Sequence, residues 1–240
     1  MNLDALWHYL ECGRYAEDLP LWRALAGRAG GRVLDVGAGT GRVTLELAAG
    51  GAEVVALDLE APLLEALERR AAGLSVETVL ADAREFDLGA RRFSLVLVPM
   101  QTLQLLGGPS GRASFLRCAL DHLESGGLLA AALADAMDCF DEEHDLPPRP
   151  DQCEILGVRY VSQLLAVEDE GGCAAVHRRR EIIGPNDRYE AHRVVVRLDR
   201  VTAEEVAAEA RDLGFQGASQ LFVPQTEEYL GSTVAVLRAP

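Results

Sequence analysis

The chain has 240 residues, 38 acidic and 23 basic, for a formal charge of −15, and every one of the bases is an arginine. The lack of lysine excludes a Schiff-base lysine and the lysine of a phosphate-binding P-loop. The acidic balance argues against a nucleic-acid partner, whose affinity comes largely from neutralising phosphates. A charged fraction of 25% is that of an ordinary globular protein, with room for one large or two small domains at ~150 residues each.

Five cysteines (Cys12, Cys118, Cys139, Cys153, Cys173) are scattered and form no C-x-x-C pair, so neither a disulfide framework nor a zinc knuckle is expected. Residues 1–4 show no basic region leading into an apolar stretch. The longest apolar run, 128–134, is far short of the ~20 residues a membrane helix needs. A reduced, cytoplasmic location with no membrane partner is the expectation.

In chain order, residues 1–30 are expected to form a helical cover. Strands then alternate with helices. Residues 32–36 and 53–57 read as strands, 41–49 and 62–72 as helices, the latter with Pro62 in its first turn. Residues 75–80 and 93–98 are strands, 110–123 a helix and 128–133 a fully apolar strand. Runs such as Ser94-Leu-Val-Leu-Val98 are apolar on both faces, as in parallel strands covered by helices on both sides. This predicts an α/β fold with a doubly wound, mostly parallel seven-stranded sheet, its core at 31–137 and 201–240.

Between these parts, residues 138–151 are acidic and then proline-rich, an exposed connection. Three strand-like runs follow, 155–167, 173–183 and 188–198, separated by Glu170-Gly-Gly172 and Gly184-Pro-Asn-Asp187. They predict an antiparallel β lid inserted at 138–200. Thr202-Ala-Glu-Glu205 is a capping box opening a helix, and 215–223 and 233–237 are the last strands.

The sharpest motif is Val33-Leu-Asp-Val-Gly-Ala-Gly-Thr-Gly41, placed where a strand ends and a helix begins. Its glycines allow a tight turn with a ligand lying against the backbone. Arg42 stands where a dinucleotide fingerprint would carry its third glycine. That substitution counts against the competing reading as a nicotinamide-dependent reductase. Asp58 closes the second strand, where a carboxylate can accept ribose hydroxyls, and Asp82-Ala83 follows the third.

With these companions the chain resembles the Rossmann-like, class I S-adenosylmethionine-dependent methyltransferases over about residues 30–135 and 201–240. Glu124-Ser-Gly-Gly127 and Leu213-Gly-Phe215 are similar to the same family. The resemblance implies S-adenosylmethionine as cofactor and S-adenosylhomocysteine as product. It implies that Asp35 lies near the methionine amino group, with Gly37, Ala38, Gly39 and Gly41 beneath the methionine part. Asp58 would bind the ribose, Leu59 pack on the adenine, and Asp82, Ala83 and Phe86 meet the adenine edge. Pro99 and Gln101, after the fourth strand, would line the pocket; Gln101 either bonds acceptor or methionine carboxylate, or caps a helix. Similar enzymes use an N-terminal helix as a lid, and Tyr15, with Tyr9 behind it, is the expected aromatic; packing alone is the other reading of these rings.

Two lid histidines are candidates for a general base. If the 184–187 turn pairs Ile183 with Arg188, His177 opposes Val194 and His192 opposes Arg179, so both histidines share a face. The plainer alternative is that both are solvated strand residues. Arg178-Arg-Arg180 is either a solvated strand end or a receiver for an acidic substrate. His8, His122 and His144 show no ligand spacing, so no metal is expected. The predicted activity is methyl transfer to an O or N atom of a small molecule by a monomer or homodimer. A non-catalytic module binding S-adenosylmethionine or its product is the remaining alternative.

Overall fold

The computed structural model describes residues 2–134, 139–141, 148–186, 188–226 and 230–240. Two helices, α1 (Leu3–Cys12) and α2 (Leu19–Ala29), precede the first strand. The core then alternates β1 (Val33–Val36), α3 (Arg42–Ala49), β2 (Val54–Asp58), α4 (Ala61–Arg70), β3 (Val76–Leu80), β4 (Phe93–Val98), α5 (Gly108–His122) and β5 (Leu123–Leu133). Every residue of β1, β2 and β4 is buried. Helices on both faces of the sheet leave these strands no solvated side, hence their unbroken Val/Leu composition.

A lid interrupts the core after β5. It comprises β6 (Phe140–Asp141), β7 (Asp151–Ile155), β8 (Val158–Asp169), β9 (Cys173–Ile183) and β10 (Tyr189–Asp199). The core resumes with α6 (Ala203–Asp212), β11 (Ala218–Val223) and β12 (Ser232–Arg238). The main sheet has seven strands in the order β11-β12-β5-β4-β1-β2-β3, with β12 antiparallel to both neighbours. This is the α/β class expected. Thr202 caps α6 through the expected reciprocal bonds with Glu205. The acidic connection lies partly, and His144 wholly, outside the described residues.

The lid departs from expectation at two turns. The run 155–167 is cut after Ile155, because Leu156 (φ 51°) and Gly157 (φ 76°) form a two-residue reversal that pairs Ile155 with Val158. Between β9 and β10, Ile183 pairs with Tyr189 rather than Arg188. Gly184 N–H instead donates to the Arg188 carbonyl at 2.9 Å, and Asn186 takes φ 57°, so the ladder closes one residue later. A one-residue slip inverts which face each side chain joins. His177 therefore opposes Val195 and His192 opposes Arg180, and the two histidines lie on opposite faces. The expected shared face is incorrect.

The winding of the main sheet reverses between β1 and β4, and open α/β sheets bind ligands at such a crevice. Helix α1 lies between core and lid. Its Ala5 packs with Leu63 and Ala66 of α4, while Trp7 and Leu10 pack with Ile182 of β9. Arg180 of β9 clasps Glu11 with two bonds of 2.8 and 2.7 Å. Cover and lid thus form one roof over the crevice.

Candidate active site

Two adjoining cavities open at the C-terminal ends of β1, β2 and β4. The smaller, about 330 Å³, is walled by Asp58, Leu59, Asp82, Ala83 and Arg84. The larger, about 710 Å³, extends from Asp35, Gly37 and Ala38 to the underside of the lid at Val176, Arg178 and Arg180. Both contain His8, Gly37, Leu63, Thr102 and Leu105 in their walls.

The glycine loop is shaped by three left-handed residues, Gly37 (φ 71°), Gly39 (φ 57°) and Gly41 (φ 88°). A Cβ at Gly39 would lie 2.2–2.3 Å from Cε1 and Nε2 of His8, so the imidazole rests directly on the backbone. Gly41 is different. A Cβ there would meet Leu67 at 2.2 Å, which makes it a helix-packing glycine and not a wall of either cavity.

Asp58 is 8% exposed and accepts from the Gly39 amide at 2.7 Å and the Glu60 amide at 2.9 Å. Each carboxylate oxygen takes one backbone donor and retains capacity for a second (a carboxylate has about four acceptor sites). Asp35, at the end of β1, accepts from Thr44 Oγ1 at 2.6 Å through Oδ2. Its Oδ1 is buried with no hydrogen-bond partner, and burial pushes the carboxyl up to about 6. A buried orphan acceptor of this kind is satisfied by a cationic donor entering the cavity. Asp82 is held below the usual carboxylate range by its hydrogen bonds to the Arg84 side chain and backbone.

Pro99 and Gln101 line the larger cavity. Tyr15 and Phe86 line neither among the described residues. Arg42 explains Tyr15. Its guanidinium bonds both oxygens of buried Asp18, at 2.5 and 2.7 Å, and the Tyr15 carbonyl at 2.9 Å. This draws the α1–α2 link onto α3 and packs the Tyr15 ring among Trp22 and Val43, 5.0 Å from the guanidinium. Tyr9 lies against Arg70 instead, 5.3 Å from ring centroid to guanidinium carbon. Phe86 is 4% exposed and packs at a tilt against His122, with ring centroids 5.2 Å apart.

Of the lid histidines, His192 is exposed. His177 lies on the face away from the cavity, 3.5 Å from Glu168. The arginine run splits by alternation, Arg178 and Arg180 facing the cavity. Neither is open to an acidic substrate, since Arg178 bonds Ser162 and Asp151 and Arg180 bonds Glu11. The cavity residues not anticipated include Asp4, His8, Glu11 and Cys12 of α1. Their spacing puts them on one face of α1, a polar stripe visible in the sequence.

The segment Val33–Gly127 matches the family model described as a methyltransferase domain. A cypemycin N-terminal methyltransferase from Streptomyces sp is 35% identical over 119 residues, 50% of this chain and 44% of that protein. A demethylmenaquinone methyltransferase from Clavibacter sepedonicus is 40% identical over 96 residues, 40% of this chain and 39% of that protein. The match thus spans less than half the length of either relative. Across the whole chain the fold is that of the sugar N-methyltransferase KedS8 from Streptoalloteichus sp, with TM-score 0.77 and 20% identity, covering 100% of this chain and 94% of that one.

The cavity walls fit S-adenosylmethionine, the cofactor that the resemblance implies. Gly37, in the wall of both cavities, has no side chain where a ligand must approach closely, whereas Gly39 is covered by His8 and lines neither among the described residues. The orphan Oδ1 of Asp35 suits an ammonium group and the spare acceptor sites of Asp58 suit a ribose diol. Of the arginines beside the loop, Arg42 is consumed by Asp18 and Arg70 donates to the Thr40 carbonyl at 2.8 Å. Among the described residues no helix is long and apolar enough to cross a membrane.

Proposed function

We propose that this protein transfers a methyl group from S-adenosylmethionine to a nitrogen or oxygen atom of a small molecule, and that the acceptor atom is an amine nitrogen. The observation that carries the proposal is the pair of joined cavities. One ends in the Asp58 and Asp82 carboxylates, and the other opens beneath a lid with volume for an acceptor.

S-adenosylmethionine supplies, when bound, a methyl group on a positively charged sulfur leaving group. The chain's own task is alignment and exclusion of water. Asp58 would hold the ribose and Asp35 the methionine ammonium. Asp82, Ala83 and Leu59 would hold the adenine, and Pro99 and Gln101 would face the acceptor. The roof of α1 and lid closes the crevice above them.

Charge favours an amine. Each arginine lining the larger cavity is already neutralised: Arg42 by Asp18, Arg178 by Asp151 and Arg180 by Glu11. Asp4, Asp35 and Glu60, in the same wall, have no ion-pair partner among the described residues. A cavity so charged attracts cations. The relatives named for N-terminal and sugar N-methylation agree with this direction. A non-catalytic module has no use for the acceptor-sized space under the lid.

Calorimetry with S-adenosylhomocysteine and with NADH tests the proposal. Binding of the first and not the second is expected. NADH binding without S-adenosylhomocysteine binding would transfer the assignment to a reductase.

A further inference from the structure

We infer that His8 is the catalytic base of this protein, taking a proton from an ammonium acceptor at the junction of the two cavities. The inference rests on the methyl transfer proposed above and extends it to a residue on the N-terminal helix, outside residues 33–127.

Position comes first. His8 is in the wall of both cavities, the place where an acceptor on one side must meet a donor on the other. Its ring lies on Gly39, and its Nδ1 is 3.3 Å from Oγ1 of Thr40, a buried hydroxyl of the same loop. That contact fixes the ring. Nε2 makes no hydrogen bond among the described residues, and in the tautomer that donates from Nδ1 to Thr40 it carries the lone pair that receives a proton.

Protonation state comes second. Burial holds the imidazole below its ordinary value. Asp58 at the end of β2 and Glu11 on α1 favour the imidazolium, Arg42 of α3 and Arg180 of β9 oppose it, and burial outweighs them. Asp4, Asp35 and Glu60 are the other carboxylates in the shared wall, and Arg178 is the remaining cation. The ring is therefore neutral near pH 7, the state a base requires.

Competition comes third. Gln101 has no proton-accepting side-chain base, and Glu11 is bound into its Arg180 pair. The Cys12 thiol is pushed up by burial to about 11. His177 and His192 are off the cavity wall among the described residues.

The step balances as follows. The acceptor ammonium gives one proton to His8 Nε2, and the freed nitrogen lone pair forms the new N–C bond. The C–S bond breaks with its electron pair left on sulfur, now a neutral thioether. The product leaves as a methylated ammonium, and His8 returns its proton to solvent.

The test uses the full chain, methyl-labelled S-adenosylmethionine and a panel of amino sugars and short peptides with free amino termini, with wild type and His8→Gln. Glutamine can still bond Thr40 but cannot take up the proton. At pH 7 the variant is expected to lose on the order of 100-fold in rate, as removal of a general base does, with S-adenosylhomocysteine affinity kept within about threefold. The deficit should shrink toward pH 9–10, where amines arrive unprotonated. Three outcomes overturn the inference while leaving cofactor binding intact: an unchanged rate and pH profile in His8→Gln, a rate deficit that is independent of pH, or no methylation of any amine. A proportional loss of S-adenosylhomocysteine affinity in the variant also overturns it, making His8 a cofactor contact instead. Absence of S-adenosylhomocysteine binding to wild type would instead remove the methyltransferase proposal itself.

Discussion

The carboxylate of Asp58 holds the amide of Gly39 at 2.7 Å, tying the end of β2 to the glycine loop that follows β1. The bond presets the loop before any ligand arrives and points the remaining acceptor capacity at the smaller cavity. Asp58→Ala removes both functions. Loss of charge-assisted hydrogen bonds worth roughly 1.5–3 kcal/mol each predicts at least a 10-fold fall in S-adenosylhomocysteine affinity, measured by calorimetry. Unchanged affinity would remove Asp58 from the cofactor site.

Gly39 and His8 form a second such pair. Gly39→Ala places a methyl 2.2–2.3 Å from the imidazole edge at a residue with φ 57°. The backbone penalty is about 1 kcal/mol for a non-glycine residue in this region, and displacement of α1 adds to it. Urea denaturation should show a loss above that figure. The double variant His8→Ala/Gly39→Ala should recover the excess but not the backbone part. Equal losses in both variants would show that the steric contact carries no weight.

Arg42 and Asp18 are both nearly buried, 8% and 2% exposed at the side chain. Truncation of Arg42 leaves a carboxylate uncompensated in the interior, a cost of about 3–5 kcal/mol. Trp22 Nε1 donates to the same carboxylate at 2.7 Å, so the tryptophan emission of Arg42→Ala should shift along with the fall in stability. Retention of wild-type stability would contradict the buried pair.

Asp35 carries a pH prediction. Its carboxyl is raised by burial from 3.8 to about 6 in the folded chain. Between those values the folded state binds the proton more tightly than the unfolded state, so this group lowers stability as pH rises from about 4 to about 6. Above about 6 the full penalty persists. Asp35→Asn should flatten that part of the pH–stability curve and be the more stable apoprotein at pH 7. It should also weaken S-adenosylhomocysteine binding, because the ionised carboxylate is the partner for an ammonium. A variant with unchanged slope and unchanged affinity would refute both halves.

Gln104 joins the two stems of the lid. Its Nε2 donates to the carbonyls of Ala134 (3.2 Å) and Asp199 (2.9 Å), and its Oε1 accepts from the Ala134 amide at 2.9 Å. Gln104→Leu strands these backbone groups, at a cost of about 1–3 kcal/mol for each buried one. Faster amide exchange is expected at both stems, with the main-sheet strands β1 and β4 unaffected. Uniform loss of protection across the molecule would indicate global destabilisation instead.

Much of the fold is legible because its signals are local. Pro62 in the first turn of α4, the capping box at Thr202 and the glycines of the 37–41 loop act through backbone geometry within a few residues. The same holds for Asp58, which is identified by its place at the end of an unbroken apolar strand. Tyr15 and Phe86 were not legible, since an aromatic ring near a cavity and one packed beneath it have the same sequence. Their places depend on the remote partners Arg42 and His122.

The order of strands and helices, the glycine loop, the carboxylates at the strand ends and the lack of a P-loop lysine were determined by the sequence alone. They follow from periodicity, turn chemistry and an all-arginine, −15 composition. Tertiary structure alone decided which residues line the cavity beneath the lid. One residue of register between β9 and β10 separates His177 from His192, and the packing of α1 against α4 and β9 turns His8 into the crevice. Side-chain alternation inverts with a single-residue slip, and a helix wedged between two layers presents to a cavity whatever face its packing leaves over.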